Sequence, residues 1–207
     1  EHVSIVETSG KRGASHARNA GLAQVSAPFV VFLDADDFLH PFALQVFLDA
    51  YSRVQCGYVY SDLFEYKGEG RDGKATARQL DDDDHATLAV RNGVTSLVRA
   101  ADARAVGGFD ETMIHGWEDI DFYMKLRVAG VCGTRVPHPL YYYRVTSGNL
   151  RNASAERRNE LDALLDARYG VFKRGEVKMT GCCGDSAGAD ELIRVKGALA
   201  IVPAVPG

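Results

Sequence analysis

The stretch VVFLDADDFLHP, residues 30–41, constrains the fold more than any other. Val30, Val31, Phe32 and Leu33 form a β-branched and aromatic run, the pattern of a buried strand. Asp34, Asp36 and Asp37 then arrive within four positions. Carboxylates gathered this closely repel one another unless a cation or a hydrogen-bonding ligand satisfies them. In open α/β sheets the ligand crevice lies outside the carboxyl ends of the strands. A strand with this ending delivers negative charge to such a crevice. If the segment stays extended, Asp34 and Asp36 point the same way. Oxygen donors of this kind suit Mg²⁺ or Mn²⁺, which bridge one or two carboxylates to a diphosphate. The competing reading is a solvated acidic turn before the helix that Pro41 opens.

Strands and helices alternate along the rest of the chain. Residues 3–6, 29–33, 58–64, 95–98, 133–136 and 140–143 read as strands. Helices are expected over 16–24, with Ser15 as cap, from Pro41 through Tyr51, and over 101–106, closed by Gly107 and Gly108. Two more are expected over 118–129, stopped by Gly130, and over 156–169, with Leu161, Leu164 and Leu165 on one side. Residues 67–85 are Gly-rich and charged and read as a mobile surface loop. This alternation predicts an α/β domain with a largely parallel sheet.

A chain of 207 residues suits one domain with a small appendage. A net charge of −4 gives no reason to expect nucleic-acid binding. No apolar run approaches the ~18 residues of a membrane span, and no signal-peptide pattern opens the sequence. The expected location is cytoplasmic, with peripheral membrane association as the other option. Cys56, Cys132, Cys182 and Cys183 lack zinc-site spacing and read as free thiols. The acidic run Asp81–Asp84, before His85, reads as a solvated loop.

A second stretch, GGFDETMIHGWEDIDFYMKLRVAG, covers residues 107–130. Glu118, Asp119 and Asp121 open a helix beside Trp117, the chain's one tryptophan. The helix dipole favours acidic residues there. A carboxylate in that position can also face a crevice and act as a general base.

These blocks resemble family 2 glycosyltransferases. GASHARNAGLAQVSAPFVVFLDADD is similar to the family's Gly-x-Ser-x-Ala-Arg-Asn-x-Gly helix followed by a strand ending in Asp-x-Asp. GGFDE…GWEDIDFYMKLRVAG is similar to its acceptor-side segment with a Glu-Asp pair, and PHPLYYYRV to the strand ending in Tyr-Arg. The resemblance covers roughly residues 3–150. It implies a GT-A fold, Rossmann-like, with a mostly parallel sheet flanked by helices, in an enzyme that transfers a sugar with inversion. The implied domain is 1–172, with a nucleotide-sugar part at 1–66, an acceptor part at 90–150 and a helix at 156–169. Residues 173–207 form an extension or linker.

Carried over residue by residue, the resemblance implies that Asp34 meets the nucleotide ribose and Asp36 holds the metal, Mn²⁺ or Mg²⁺. Asp37 would stand behind Asp36. Arg18 would lie near the nucleotide, with a structural ion pair to Asp34 as the alternative. Arg144 would meet the diphosphate. Asp119 would deprotonate the acceptor hydroxyl. Glu118 is the runner-up for that role, or orients the acceptor. Trp117 would stack on a sugar ring or belong to the core. The implied partners are a nucleoside-diphosphate sugar, a UDP-sugar foremost, and a saccharide or other hydroxyl acceptor.

The sequence also departs from the family. It opens at what would be the third strand, without the Pro-x-Tyr-Asn strand or the Asp-Asp-Gly-Ser segment that hold the nucleotide base. A sheet without those strands exposes an apolar edge, so a further segment of the polypeptide or another chain is expected to cover it. The His that follows the Tyr-Arg strand in many members is replaced in YRVTSGNL by Thr146 and Ser147, with His115 and His138 offset. Two alternatives follow: a catalytically degenerate glycan-binding or assembly module, and a nucleotidyltransferase, for which SGKRGAS is a poor phosphate loop.

Overall fold

The computed structural model describes residues 3–8, 10, 13–54, 57–67, 74–80, 93–145 and 157–169. The elements run α1 (Ala14–Gln24), β1 (Phe29–Val31), β2 (Phe38–Leu39), α2 (Ala43–Val54), β3 (Tyr58–Lys67), β4 (Lys74–Arg78), β5 (Ser96–Arg99), α3 (Ala100–Ala105), α4 (Glu118–Val128), β6 (Gly133–Arg144) and α5 (Arg158–Tyr169). The sheet order is β1-β5-β3-β6-β2, with β4 also paired to β3.

Strand β3 is the centre. It carries Tyr58, Val59 and Tyr60, all buried, because it is covered on both faces. Alternation sends Tyr58 and Tyr60 to one face and Val59 to the other. On the Val59 face, α2 packs Ala43, Phe47 and Ala50 against Val59, Leu97, Val136 and Leu140. The i, i+4, i+7 spacing of those three residues is the apolar stripe of an amphipathic helix. Full burial of Phe47 contributes roughly 1.5–3 kcal/mol. On the other face, Tyr58, Tyr60 and Val98 join Phe32, Phe109, Phe122 and Leu165 in the larger core.

The α/β class holds, but the expected strand directions are corrected. Among the described residues only β3 and β6 pair in parallel. The pairs β1–β5, β3–β5, β3–β4 and β2–β6 are antiparallel. Strands β1, β3 and β6 still point the same way, as helical crossovers require, and β5 is inserted against the grain between β1 and β3. The two strands expected over 133–136 and 140–143 are one, β6. Its register slips opposite Asp62. There the Asp62 carboxylate accepts from Arg135 Nε (2.8 Å), Arg135 Nη2 (2.9 Å) and the Leu80 amide (2.9 Å).

Other expectations change as well. Residues 3–6 form no strand; Val3 and Ile5 are 91% and 93% exposed. Ser15 does not cap α1: the cap position is Gly13, and Ser15 lies buried within the helix. The loop expected over 67–85 contains β4, paired to β3 through Leu63↔Arg78 to Lys67↔Lys74. Cys132 is disulfide-bonded rather than a free thiol. Among the described residues no helix is long and apolar enough to cross a membrane. Asp81–Asp84, His85, Thr146, Ser147, Cys182, Cys183 and the 173–207 extension lie outside the described residues.

Candidate active site

The acidic end of β1 is a turn rather than an extended strand. The Asp37 amide donates to the Asp34 carbonyl at 3.1 Å, with Ala35 and Asp36 at the corner. The three carboxylates therefore diverge. Asp34 turns towards α1, Asp37 towards β6, and Asp36 stays exposed. Arg144, at the end of β6, fixes this turn. Its amide donates to Asp37 Oδ1 at 2.8 Å and its Nε to the Asp36 carbonyl at 3.0 Å, while its guanidinium lies 5.0 Å over the Tyr66 ring. Burial pushes the Asp37 carboxyl up to about 7; the Arg144 amide opposes this, and the charges of Asp34 and Asp36 add to it.

Arg18 stands at the middle of α1 and joins two regions of the chain. Its Nη2 donates to Asp34 Oδ1 at 2.6 Å and its Nη1 to Glu118 Oε1 at 2.7 Å. The guanidinium lies 5.2 Å over the Phe109 ring. Burial works against its charge, but Asp34 and Glu118 hold its pKa above the ordinary value. A planar fork with several donors can serve two carboxylates at once, which a lysine ammonium does less well.

Glu118, Asp119 and Asp121 fill the first turn of α4. Trp117 precedes them at φ +64°, the left-handed region, with its side chain packed against the larger core. Glu118 is buried. Asp119 is half-buried, with Oδ1 accepting from the Ile120 amide at 2.8 Å. Burial first, and then the neighbouring Glu118 charge, raise the Asp119 carboxyl to about 6; Arg18 and the Ile120 amide pull the other way, and Asp34 adds to the rise. The phenol of Tyr141, on β6, is raised by burial and by the charges of Asp37, Asp119 and Asp34. The end of β1, the start of α4 and the face of β6 thus share one electrostatic neighbourhood.

The structure brings Arg18, Asp34, Glu118 and Asp119 together, with Arg144, Asp36 and Asp37 beside them through the turn. His115 is exposed and takes no part in the contacts described, and His138 lies on β6. Two contributors escape a reading of the sequence. Tyr141 is one. Asn19 is the other: its amide donates to the Phe109 carbonyl (2.9 Å) and Glu111 Oε1 (3.1 Å), and its Oδ1 accepts from the Phe109 amide (2.8 Å). Its place beside Arg18 in the α1 motif is the signal that marks it.

Among the described residues no three His, Cys, Asp or Glu side chains gather as a metal cage. The donors at the turn are nevertheless oxygens only, with exposed Asp36 next to Asp37, whose ionised form the fold disfavours. That set fits a hard divalent cation bound by one or two carboxylates and completed by phosphate oxygens and water.

Residues 1–103 match the family described as glycosyl transferase family 2. The chain belongs to that family. Among curated relatives, the pre-mycofactocin glycosyltransferase of Mycobacterium tuberculosis is 28% identical over 138 residues, 62% of this chain and 29% of the relative. The chain therefore spans less than a third of that relative's length. Among solved structures, S. aureus TarS 1–349 in complex with UDP-GlcNAc superposes with a TM-score of 0.54 at 17% identity, over 88% of this chain and 51% of that one. Longer S. aureus TarS gives 0.51 at 19% identity, over 86% and 29%. At these identities the likeness concerns the fold, which is that of the GT-A glycosyltransferases.

Proposed function

We propose that this chain carries the transfer centre of an inverting glycosyltransferase that moves a sugar from a UDP-sugar to a hydroxyl acceptor, with Asp119 as general base. The observation that carries the reading is the Arg18 bridge: it ties Asp34, at the end of β1, to Glu118, one residue before Asp119. The donor side and the base side then meet across a single guanidinium. The complex of TarS with UDP-GlcNAc supports the choice of donor class.

In this reading Asp34 accepts from the ribose hydroxyls, and the Arg18 contact at 2.6 Å orients its carboxylate. Asp36, with Asp37, would hold Mn²⁺ or Mg²⁺, which offsets the charge on the departing diphosphate. Arg144 keeps the acidic turn in place and offers its guanidinium to the phosphates. Asp119 accepts the proton of the acceptor hydroxyl as its oxygen attacks the anomeric carbon from the face opposite the diphosphate. Its raised pKa suits it: a base is most effective when its pKa lies near the working pH. Glu118, ion-paired to Arg18 at 2.7 Å, serves as an orienting group. Trp117 fixes the entry to α4 rather than stacking freely on a sugar.

The test uses the longest natural polypeptide that contains this chain, UDP-GlcNAc and Mn²⁺, with water as the acceptor. UDP release is followed, and the anomer first formed is read by proton NMR. Inversion predicts the β-anomer, and Asp119→Asn is expected to lower kcat by about 10²–10⁴. Wild-type polypeptide that releases no UDP, or an Asp119→Asn variant with full turnover, would overturn the assignment and favour a degenerate binding module.

A further inference from the structure

We propose that α5 clamps the acidic first turn of α4, with Arg168 and Tyr169 acting as positioning residues for Asp119. This rests on the transfer reading above, but the clamp itself is a matter of geometry. The Asp121 carboxylate is fully buried. Its Oδ1 accepts from Tyr169 Oη at 2.6 Å and from Arg168 Nη1 at 2.9 Å. The same Arg168 nitrogen lies 2.6 Å from Asp110 Oδ2 and 3.7 Å from Met113 Sδ. Lys125 Nζ stands 3.4 Å from Asp121 Oδ2 and donates to the Gly108 carbonyl at 2.5 Å. One carboxylate therefore joins α5, α4 and the 108–113 segment.

The first turn of α4 needs such a restraint. The first four amides of a helix have no partner within it, and a side-chain cap ordinarily serves one of them. Here the cap residue is Trp117, in the left-handed region, and its side chain supplies no capping hydrogen bond. The turn is closed by the Asp121 amide, which donates to the Trp117 carbonyl at 2.9 Å. Asp121 is two residues beyond Asp119, and residues so spaced do not share a helix face. Holding Asp121 inward therefore leaves Asp119 on another face while fixing the turn that carries it. A reacting group displaced by 1 Å can cost about 10²-fold in rate, so the restraint bears directly on turnover.

Tyr169→Phe removes one hydroxyl, and Arg168→Lys keeps the charge but loses the fork. In both variants amide exchange over residues 119–123 is expected to speed at least about tenfold, with β3 amides unchanged. UDP-GlcNAc turnover is expected to lose about tenfold in kcat, with donor KM within about twofold. Arg168→Met should be worse than Arg168→Lys in both readouts. Exchange in the first turn unchanged in both conservative variants overturns the clamp, and so does faster exchange without a fall in kcat. Equal acceleration across β3 and α4 overturns it too, because it marks general loss of structure. If the wild-type polypeptide turns over no donor, the transfer reading fails, and the positioning role falls with it; the exchange arm still reports whether α5 restrains the turn.

Discussion

At the scale of single residues, Asp119 carries opposed demands. Its folded pKa of about 6 lies above the ordinary 3.8. The folded chain therefore keeps a proton there that the unfolded chain has released between about pH 4 and pH 6. Stability on this account falls as pH rises through that window, and the deficit persists at pH 7. Asp119→Asn removes the deficit. It is expected to raise the thermal midpoint at pH 7 and to change it little at pH 4, as differential scanning fluorimetry at both values will read. In the proposed reading the same substitution also removes the general base, a stability–activity trade of a common kind. Wild-type turnover should rise with pH through about 6. Asp36 presents the opposite case. It is exposed, and its side chain makes no hydrogen bond to a described residue. Asp36→Ala should leave stability within about 0.5 kcal/mol. The Mn²⁺ concentration for half-maximal turnover should rise at least about tenfold, read in a metal titration of UDP release.

Elements were legible where apolar residues recur at a helical spacing or run together. Ala43, Phe47 and Ala50 declare α2 by one buried stripe, whereas Phe122 to Met124 in α4 and Tyr58 to Tyr60 in β3 stand out as apolar runs buried on more than one side. Strand β4 was illegible for the converse reason: Lys74–Arg78 is exposed at every position and is held by backbone pairing to β3 and by the Arg78–Glu65 ion pair at 2.7 Å. Hydrogen bonds to a neighbouring strand leave no trace in side-chain periodicity. The link from α1 to the 107–111 loop was half legible. Gly107 and Gly108 read as a helix stop, and both do adopt positive φ, +79° and +65°. Only the structure shows that a Cβ on Gly108 would strike Asn19 Oδ1, whereas one on Gly107 meets open space. Gly107→Ala should cost about 1–2 kcal/mol, the strain of the left-handed conformation alone. Gly108→Ala should cost more, because it also displaces the Asn19 side chain. Asn19→Leu leaves the Phe109 amide and carbonyl without partners and should cost about 1–3 kcal/mol for each group left buried. Urea denaturation of the three variants ranks these effects.

For the whole molecule, the alternation of strands and helices foretold the α/β class but not the strand directions. Nothing in Ser96–Arg99 says that β5 enters antiparallel between β1 and β3, since a short apolar strand looks the same read either way. The site followed the same division. The candidate residue types were legible as Asp34, Asp36 and Glu118-Asp119, whereas the meeting of Asp34 with Glu118 depends on Arg18, which spans 100 positions of sequence to reach Glu118. That bridge makes a prediction that neither half of the site would make alone. Arg18→Met leaves Glu118 buried without its partner, and breaking a buried ion pair from one side costs about 3–5 kcal/mol. It also removes a positive charge that holds the Asp119 pKa down, so the rising limb of the pH–rate profile should move above pH 6. Glu118→Gln removes a charge that raises the same pKa and should move that limb below 6. The double variant Arg18→Met with Glu118→Gln should recover part of the lost stability and return the midpoint towards the wild-type value, because opposite influences on Asp119 are deleted together. Denaturation and pH–rate curves of the two single variants and the double variant close the cycle. A midpoint that stays near 6 in Arg18→Met would mean that the guanidinium does not act on Asp119 and that the two sides of the site are not coupled through it.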